Sequence, residues 1–286
     1  MTLSAVQSDY LGSNVSDIRS AYSGDMSELD FTVGDLLRNW RERRRLSQLG
    51  LAVEADVSTR HLSFIESGRA TASRDMLLRL AEPLRLPPRE RNRLLLAGGY
   101  APHHSERPMD AADMAAAKAI VEAVLQGHAP FPALAVDRRW NLVLANKAAT
   151  ALLASVAEEL LTPPVNVLRA SLHPEGLAPH IVNLAEWRHH VLARLRDEAE
   201  RSIDPALDTL HAELCKLPAP TERLPVGPAA RIAVPLMLRH PASGTVLSFL
   251  STTTVFGTAT DVTLSELTVE CFYPADDATR ALLIGL

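Results

Sequence analysis

Trp40-Arg41-Glu42-Arg43-Arg44-Arg45-Leu46-Ser47-Gln48 opens a stretch that runs through Leu51-Ala52 and closes on Val57-Ser58-Thr59-Arg60-His61-Leu62-Ser63-Phe64-Ile65-Glu66-Ser67-Gly68-Arg69. Two serines punctuate it. Ser47 precedes Gln48 and Ser58 precedes Thr59, and a serine hydroxyl in that place satisfies a free backbone N–H at a helix start. Between them stands Asp56-Val57. A tight turn there needs a left-handed residue, which Asp tolerates better than most, though less well than Gly. The pattern predicts two short helices joined by a tight turn, behind a basic first helix. Leu51, Ala52, Val57, Leu62 and Ile65 are spaced to fill one small shared core. Ala52 is small and lets a neighbouring helix approach. Val33, Leu36, Leu37 and Trp40 give the preceding helix its buried face.

The outward positions are chemically useful. Thr59, Arg60 and Ser63 fall on the exposed side of the second helix near its N-terminus, the part that enters a major groove in a helix-turn-helix unit. Arg can donate a bidentate pair to guanine, and Thr can contact bases or a thymine methyl. Gln48 and Ser58 stand at helix starts, where amides and side chains hold phosphates. Arg43, Arg44, Arg69 and Arg74 are further phosphate candidates. An arginine run alone is often only a solvated face. Here the whole turn pattern follows it in register, so double-stranded DNA is the expected partner.

Residues 33 to about 98 resemble the DNA-binding domain of the XRE (lambda-repressor-like) family. The marks are Leu51-Ala52, Val57-Ser58, Leu62, Ile65-Glu66 and Gly68-Arg69. The resemblance implies an internal pair between Arg41 and Glu66. It departs from the family at Asp56, where Gly is usual, and at Gly50 inside the second helix.

Charge sorts the chain in the same way. Residues 31–107 hold 14 Lys+Arg against 9 Asp+Glu, a net of +5, within a protein of formal charge −5. That basic module is the footprint of a DNA reader. Residues 1–30 are polar and acidic and are expected to be a disordered lead. At 286 residues, 47% hydrophobic, the chain has room for two domains. The expected organisation is a lead over 1–30, a helix-turn-helix domain over 31–100, a linker over 101–109 and a second domain over 110–286. No apolar run is long enough for a membrane span and no secretory signal opens the chain, so a cytoplasmic protein with no membrane partner is expected. Cys215 and Cys271 give no metal or disulfide spacing, and both are expected to be buried thiols.

The second domain reads as mixed. A helix is expected from about Ala111 to Gln126. Strands at 132–137 and 140–145 flank a two-residue turn, Arg138-Arg139, and Asn146 starts a helix through Leu153. Glu186–Arg201 and Asp204–Lys216 read as helices. Strands follow from Ala230 to Arg239, a turn over Pro241–Gly244, then strands over Thr245–Phe256 and Leu264–Tyr273, and a last helix from Asp276 to Leu283. The fold class expected for the chain is multidomain: an all-α helix-turn-helix domain followed by an α+β, PAS-like domain with an antiparallel sheet covered by helices.

Three blocks carry a second resemblance: Pro132-Ala133-Leu134 with Asp137 to Asn141 and Asn146; Asn166 to Arg169 with Leu172 to Leu177 and Val182-Asn183; and Phe256 to Leu267 with Phe272 to Thr279. Together they resemble the MmyB-like regulator ligand-binding domain, over nearly all of residues 110–286. The resemblance implies a pocket for a small, largely apolar acid, with fatty acids the leading class. A buried carboxylate needs a cation or several donors. Arg169, in the apolar stretch Val165–Leu172, is the expected anchor. Asn166 and His173 stand at −3 and +4 from it and share its face if the helix persists. Asn146 and Asn183 are further candidate donors. Each could instead cap a turn, and Arg169 could brace the domain through a carboxylate.

Neither His103-His104 nor His189-His190 has metal-ligand spacing, and there is no phosphate loop or nucleophile elbow. No catalytic residue, cofactor or metal is expected. The expected function is a sequence-specific transcriptional regulator, acting as a homodimer on a two-fold operator and responding to a small apolar acid. The rival is a regulator whose second domain only dimerises, with no effector.

Overall fold

The computed structural model describes residues 31–202, 204–218, 220, 233–240 and 244–284. The chain divides into two units with the main break after Glu106. The acidic lead over 1–30 lies outside the described residues.

Among its described residues the first unit holds the helices α1 (Val33–Arg43), α2 (Gln48–Glu54), α3 (Thr59–Glu66), α4 (Arg74–Ala81) and α5 (Pro88–Ala97). Its starts are where the hydroxyls are. Thr32 and Asp35 form a reciprocal capping box on α1. Ser47 accepts from Gly50 N at 3.0 Å and Ser58 from His61 N at 3.1 Å, which caps α2 and α3. Asp56, between them, takes φ 51°, the left-handed turn expected of it. Leu51, Ala52, Leu62 and Ile65 are buried, while Val57 is only half-buried at the turn. Gly34 allows the closest approach: a Cβ there would lie 2.5 Å from the Glu66 carbonyl oxygen, so α1 lies against the end of α3. Leu77, Leu80, Leu94 and Leu95 from α4 and α5 complete the core.

The stretch expected to be a linker is hydrogen-bonded to α5 near its start. Asn92 Oδ1 accepts from both His103 N and His104 N at 2.9 Å, and its Nδ2 donates to His104 O at 2.8 Å.

The second unit holds helix α6 (Ala115–Gly127), strands β1 (Ala133–Val136) and β2 (Leu142–Ala145), then helices α7 (Lys147–Leu152), α8 (Val167–Leu172), α9 (Leu184–Arg201) and α10 (Pro205–Cys215). Strands β3 (Leu236–Arg239) and β4 (Val246–Val255), a short helix α11 (Val262–Ser265), strand β5 (Thr268–Pro274) and helix α12 (Asp277–Ile284) follow. The sheet is antiparallel throughout, in the order β2-β1-β5-β4-β3. Alternation gives it two apolar faces. Ala133, Ala135, Val269 and Cys271 meet Val121 and Leu125 of α6 on one. Val136, Leu236, Leu238, Leu247 and Phe249 meet α8, α9 and α10 on the other, through residues such as Leu172, Trp187, Val191 and Leu210.

Several expectations change. The β1–β2 connection is not a two-residue turn: Asp137 to Asn141 wrap around the Asp137 carboxylate, which accepts from Arg139 N, Asn141 N and Asn141 Nδ2 at 2.8, 2.8 and 3.0 Å. Trp140 there takes φ 65°, uncommon for a bulky residue. Burial of its ring and a 2.7 Å bond from its Nε1 to Glu198 hold it. Leu264 does not begin a strand, because α11 occupies that position and β5 starts at Thr268. Pro235 has no N–H to give a ladder, and β3 begins just after it. The start of that expected strand, Ala230 to Ile232, and the turn residues Pro241 to Ser243 lie outside the described residues. Cys215 is exposed at the end of α10, and only Cys271 is buried.

Candidate functional site

On the first unit, one buried anion organises the site. The Glu66 side chain is inaccessible to solvent. Arg41 Nε and Nη2 donate to its two carboxylate oxygens at 2.7 and 3.0 Å, and Gln48 Nε2 donates at 2.8 Å. Burial pushes the Glu66 carboxyl up, but the Arg41 and Gln48 donors outweigh it and hold it below the ordinary carboxylate range. Arg41 also donates to Leu46 O at 3.0 Å, and Arg38 reaches Glu66 O at 2.9 Å. These bonds lock α3 to α1 and to the start of α2.

The locked helix presents Arg60 to solvent beside half-buried Thr59 and Ser63. The Arg60 guanidinium lies over the Phe64 ring at 5.3 Å, a contact that limits its swing. Arg69 is exposed, just after Gly68 at φ 71°. The other expected phosphate ligands are more engaged. Arg43 Nε donates to Asn39 Oδ1 at 2.9 Å. Arg74 meets His103 at 3.3 Å. Arg44 lies over Trp40 and donates to Leu84 O at 3.0 Å and Arg85 O at 3.4 Å, which ties α1 to the loop after α4. Arg79, which the sequence did not single out, donates to Ala55 O at 2.9 Å and to Asp56 O, pinning the strained turn.

The second unit contains a cavity of about 850 Å³. Its walls are mainly apolar, from Ala148, Ala151, Leu152, Leu177, Leu247 and Leu283. Among the described residues, Lys147, His180, Arg239 and His240 are the basic groups on its lining. A smaller cavity of about 90 Å³ adjoins it and shares Pro132, Leu152, Leu177 and Leu238 as wall residues. The inner one lies between the sheet and α8 and α9, against Trp140, Trp187, His190, Arg194, Glu270 and Phe272. Arg194 Nη2 donates to Glu270 Oε1 at 2.6 Å and its Nε to Glu198 Oε1 at 3.2 Å, while its guanidinium lies 4.5 Å over the Trp140 ring. Burial opposes the Arg194 charge, but Glu270 and Glu198 more than restore it. Burial and the neighbouring Arg194 hold the His190 imidazole below its ordinary range, which favours the neutral ring.

The five residues singled out from sequence in this unit have other partners. Asn146 caps α7 and fills its capacity: Oδ1 accepts from Ala133 N and Ala149 N, and Nδ2 donates to Leu125 O and Phe131 O. It borders the larger cavity with no donor left. Asn166 caps α8 and donates to Arg139 O at 2.8 Å. Asn183 bridges Pro235 O and Met237 N. Arg169 forms a bidentate pair with Glu213, both bonds at 2.7 Å, and lines neither cavity. The helix does not persist to His173: α8 ends at Leu172, and His173 Nδ1 accepts from Glu175 N at 3.1 Å. The expected shared face of Asn166, Arg169 and His173 is therefore not formed. One signal in the sequence could have found the inner cavity: Glu270 is a lone carboxylate at an inward position of the apolar strand Thr268–Pro274.

Residues 117–286 match the family model of the MmyB-like transcription regulator ligand binding domain, and residues 32–94 match that of a helix-turn-helix domain. The chain belongs to the MmyB-like transcription regulators. No curated protein matches it at a significant level. In this regulator the helical unit is the DNA-binding domain, and the α+β unit with its five-stranded sheet is the ligand-binding domain. Both cavities fall within the matched span. Among the described residues, no helix is long and apolar enough to cross a membrane, and no group of three or more His, Cys, Asp or Glu is placed to hold a metal ion.

Proposed function

We propose that this regulator binds a two-fold operator as a homodimer and changes its DNA affinity when an apolar acid of the fatty-acid class enters the second unit. The observation that carries the effector reading is the charge layout of the joined cavities. The larger has apolar walls and a volume in the range of small-molecule sites. Lys147 and Arg239 supply cations on its lining, and an enclosed carboxylate needs one. The inner cavity is lined by Arg194 and Glu270, and Glu198 pairs with the same guanidinium, so the one cation there is already met by two carboxylates and a third is repelled. The acid head then sits by Lys147 and Arg239, with the hydrocarbon pointing inward. Arg169 acts as a brace to Glu213 and not as the anchor.

In DNA binding, Arg60 reads a base, with Thr59 and Ser63 beside it. Arg69, Arg43, Arg74 and the capped starts at Gln48 and Ser58 face phosphate. Two copies are needed because one such unit reads a half-site, and half-sites lie about one helical turn apart.

The test is to denature the purified protein, extract it with solvent and identify what leaves by mass spectrometry. A fatty acid in the extract, with thermal stabilisation by the same acid added back, is the expected result. An empty extract and no stabilisation by any fatty acid would overturn the effector reading.

A further inference from the structure

The apolar-acid proposal leaves the inner cavity with more polarity than a plain hydrocarbon end requires. Ser251 and His190 both line it. Among the described residues, neither the Ser251 hydroxyl nor the His190 ring has a hydrogen-bond partner. Glu270 Oε1 takes the bonds from Arg194 Nη2 and Thr253 Oγ1, at 2.6 and 3.1 Å, and Oε2 takes none. Polar groups against an apolar enclosure are costly when unpaired, and a ligand atom that pairs them recovers that cost.

We infer that the inner cavity is a specificity subsite for an uncharged hydrogen-bonding group, a hydroxyl first of all, carried at the far end of the acyl chain. The inference rests on the proposal that the effector is an apolar acid. A hydroxyl suits the groups present. It donates to Glu270 Oε2 or to a ring nitrogen of His190, and accepts from Ser251 Oγ. A second carboxylate does not suit them, because Glu198 and Glu270 already outnumber Arg194. A methyl end fits the space but leaves all three groups unpaired. Discrimination of this kind is strong where a buried site expects a hydrogen bond.

The experiment uses the full-length protein freed of lipid by delipidation. Decanoic, dodecanoic and hexadecanoic acids are each compared with the terminally hydroxylated acid and the α,ω-dicarboxylic acid of the same length, by calorimetric titration. At the preferred length, the hydroxylated acid is expected to bind at least about tenfold tighter than the plain acid, and the diacid more weakly than either. His190→Phe and Ser251→Ala should each narrow the ratio of hydroxylated-acid to plain-acid affinity, and His190→Gln should restore part of it. Plain-acid binding with no hydroxyl preference overturns this inference alone. A diacid that binds best overturns it as well. Binding of none of the probes overturns the apolar-acid proposal and this subsite together.

Discussion

Arg41 and Glu66, twenty-five positions apart, meet through two hydrogen bonds of 2.7 and 3.0 Å in a place that solvent does not reach on the glutamate side. A buried pair of this kind contributes little net stability when both members are present, but removing one strands the other's charge. Arg41→Ala is expected to destabilise the DNA-binding unit by about 3–5 kcal/mol, read from its urea midpoint. Replacing both, Arg41→Met with Glu66→Leu, should recover most of the loss. If Arg41→Ala alone left the midpoint unchanged, the pair would not be holding the fold.

The same glutamate sets an acid response. Its folded-state pKa lies below the unfolded value. A carboxyl shifted in that direction stabilises the fold at pH above the unfolded value, and the contribution is lost as pH falls through the folded one. Asp204 behaves alike in the second unit: burial pushes its carboxyl up, but Arg139 and Arg138 outweigh that and hold it down. Acid unfolding monitored by circular dichroism should therefore flatten in the first unit with Glu66→Gln and in the second with Asp204→Asn. A slope unaltered by both would contradict the assignment.

Arginines on the first unit should separate by role. Arg60→Ala is expected to weaken operator binding and relax one base preference by about 1–3 kcal/mol. Arg69→Ala should weaken all sequences alike and reduce the salt slope by about 1. Arg44→Ala, by contrast, loses bonds to Leu84 O and Arg85 O and should lower the melting temperature with little change in salt slope. Selection of bound DNA from a random pool, with binding repeated across salt, reads all three. An unchanged selected site for Arg60→Ala would move the docking register.

In the second unit the acid anchor is testable directly. Lys147→Ala and Arg239→Ala should each weaken fatty-acid binding several-fold, and the double variant more. Arg169→Ala should leave that affinity unaltered and cost no more than about 1 kcal/mol of stability, because its pair with Glu213 is partly exposed on both sides. A large loss of affinity with Arg169→Ala would restore it as the anchor.

What the chain disclosed before folding was mostly local. Ser47, Ser58 and Asn146 cap helices within three residues, so adjacent letters suffice to place them. Asp56 is legible because few residue types tolerate its conformation. The alternating strands were visible for the same reason, apart from their ends. The misplacements come from partners distant in sequence. Arg169 meets Glu213, 44 positions away. Arg138 and Arg139 both reach Asp204, more than 60 positions on, and the turn they occupy lengthens around Asp137. The inner polar cluster joins α9 to β4 and β5, and no single window of sequence contains it.

The placement of the tryptophans has a practical outcome. Of the three in the chain, Trp140 and Trp187 border the inner cavity, and Trp40 belongs to the helical unit. Indole emission responds to a neighbouring charge and to displaced water. With Trp40→Phe as a silent background, the intrinsic fluorescence of this protein becomes an unlabelled optical gauge of whatever enters its second unit.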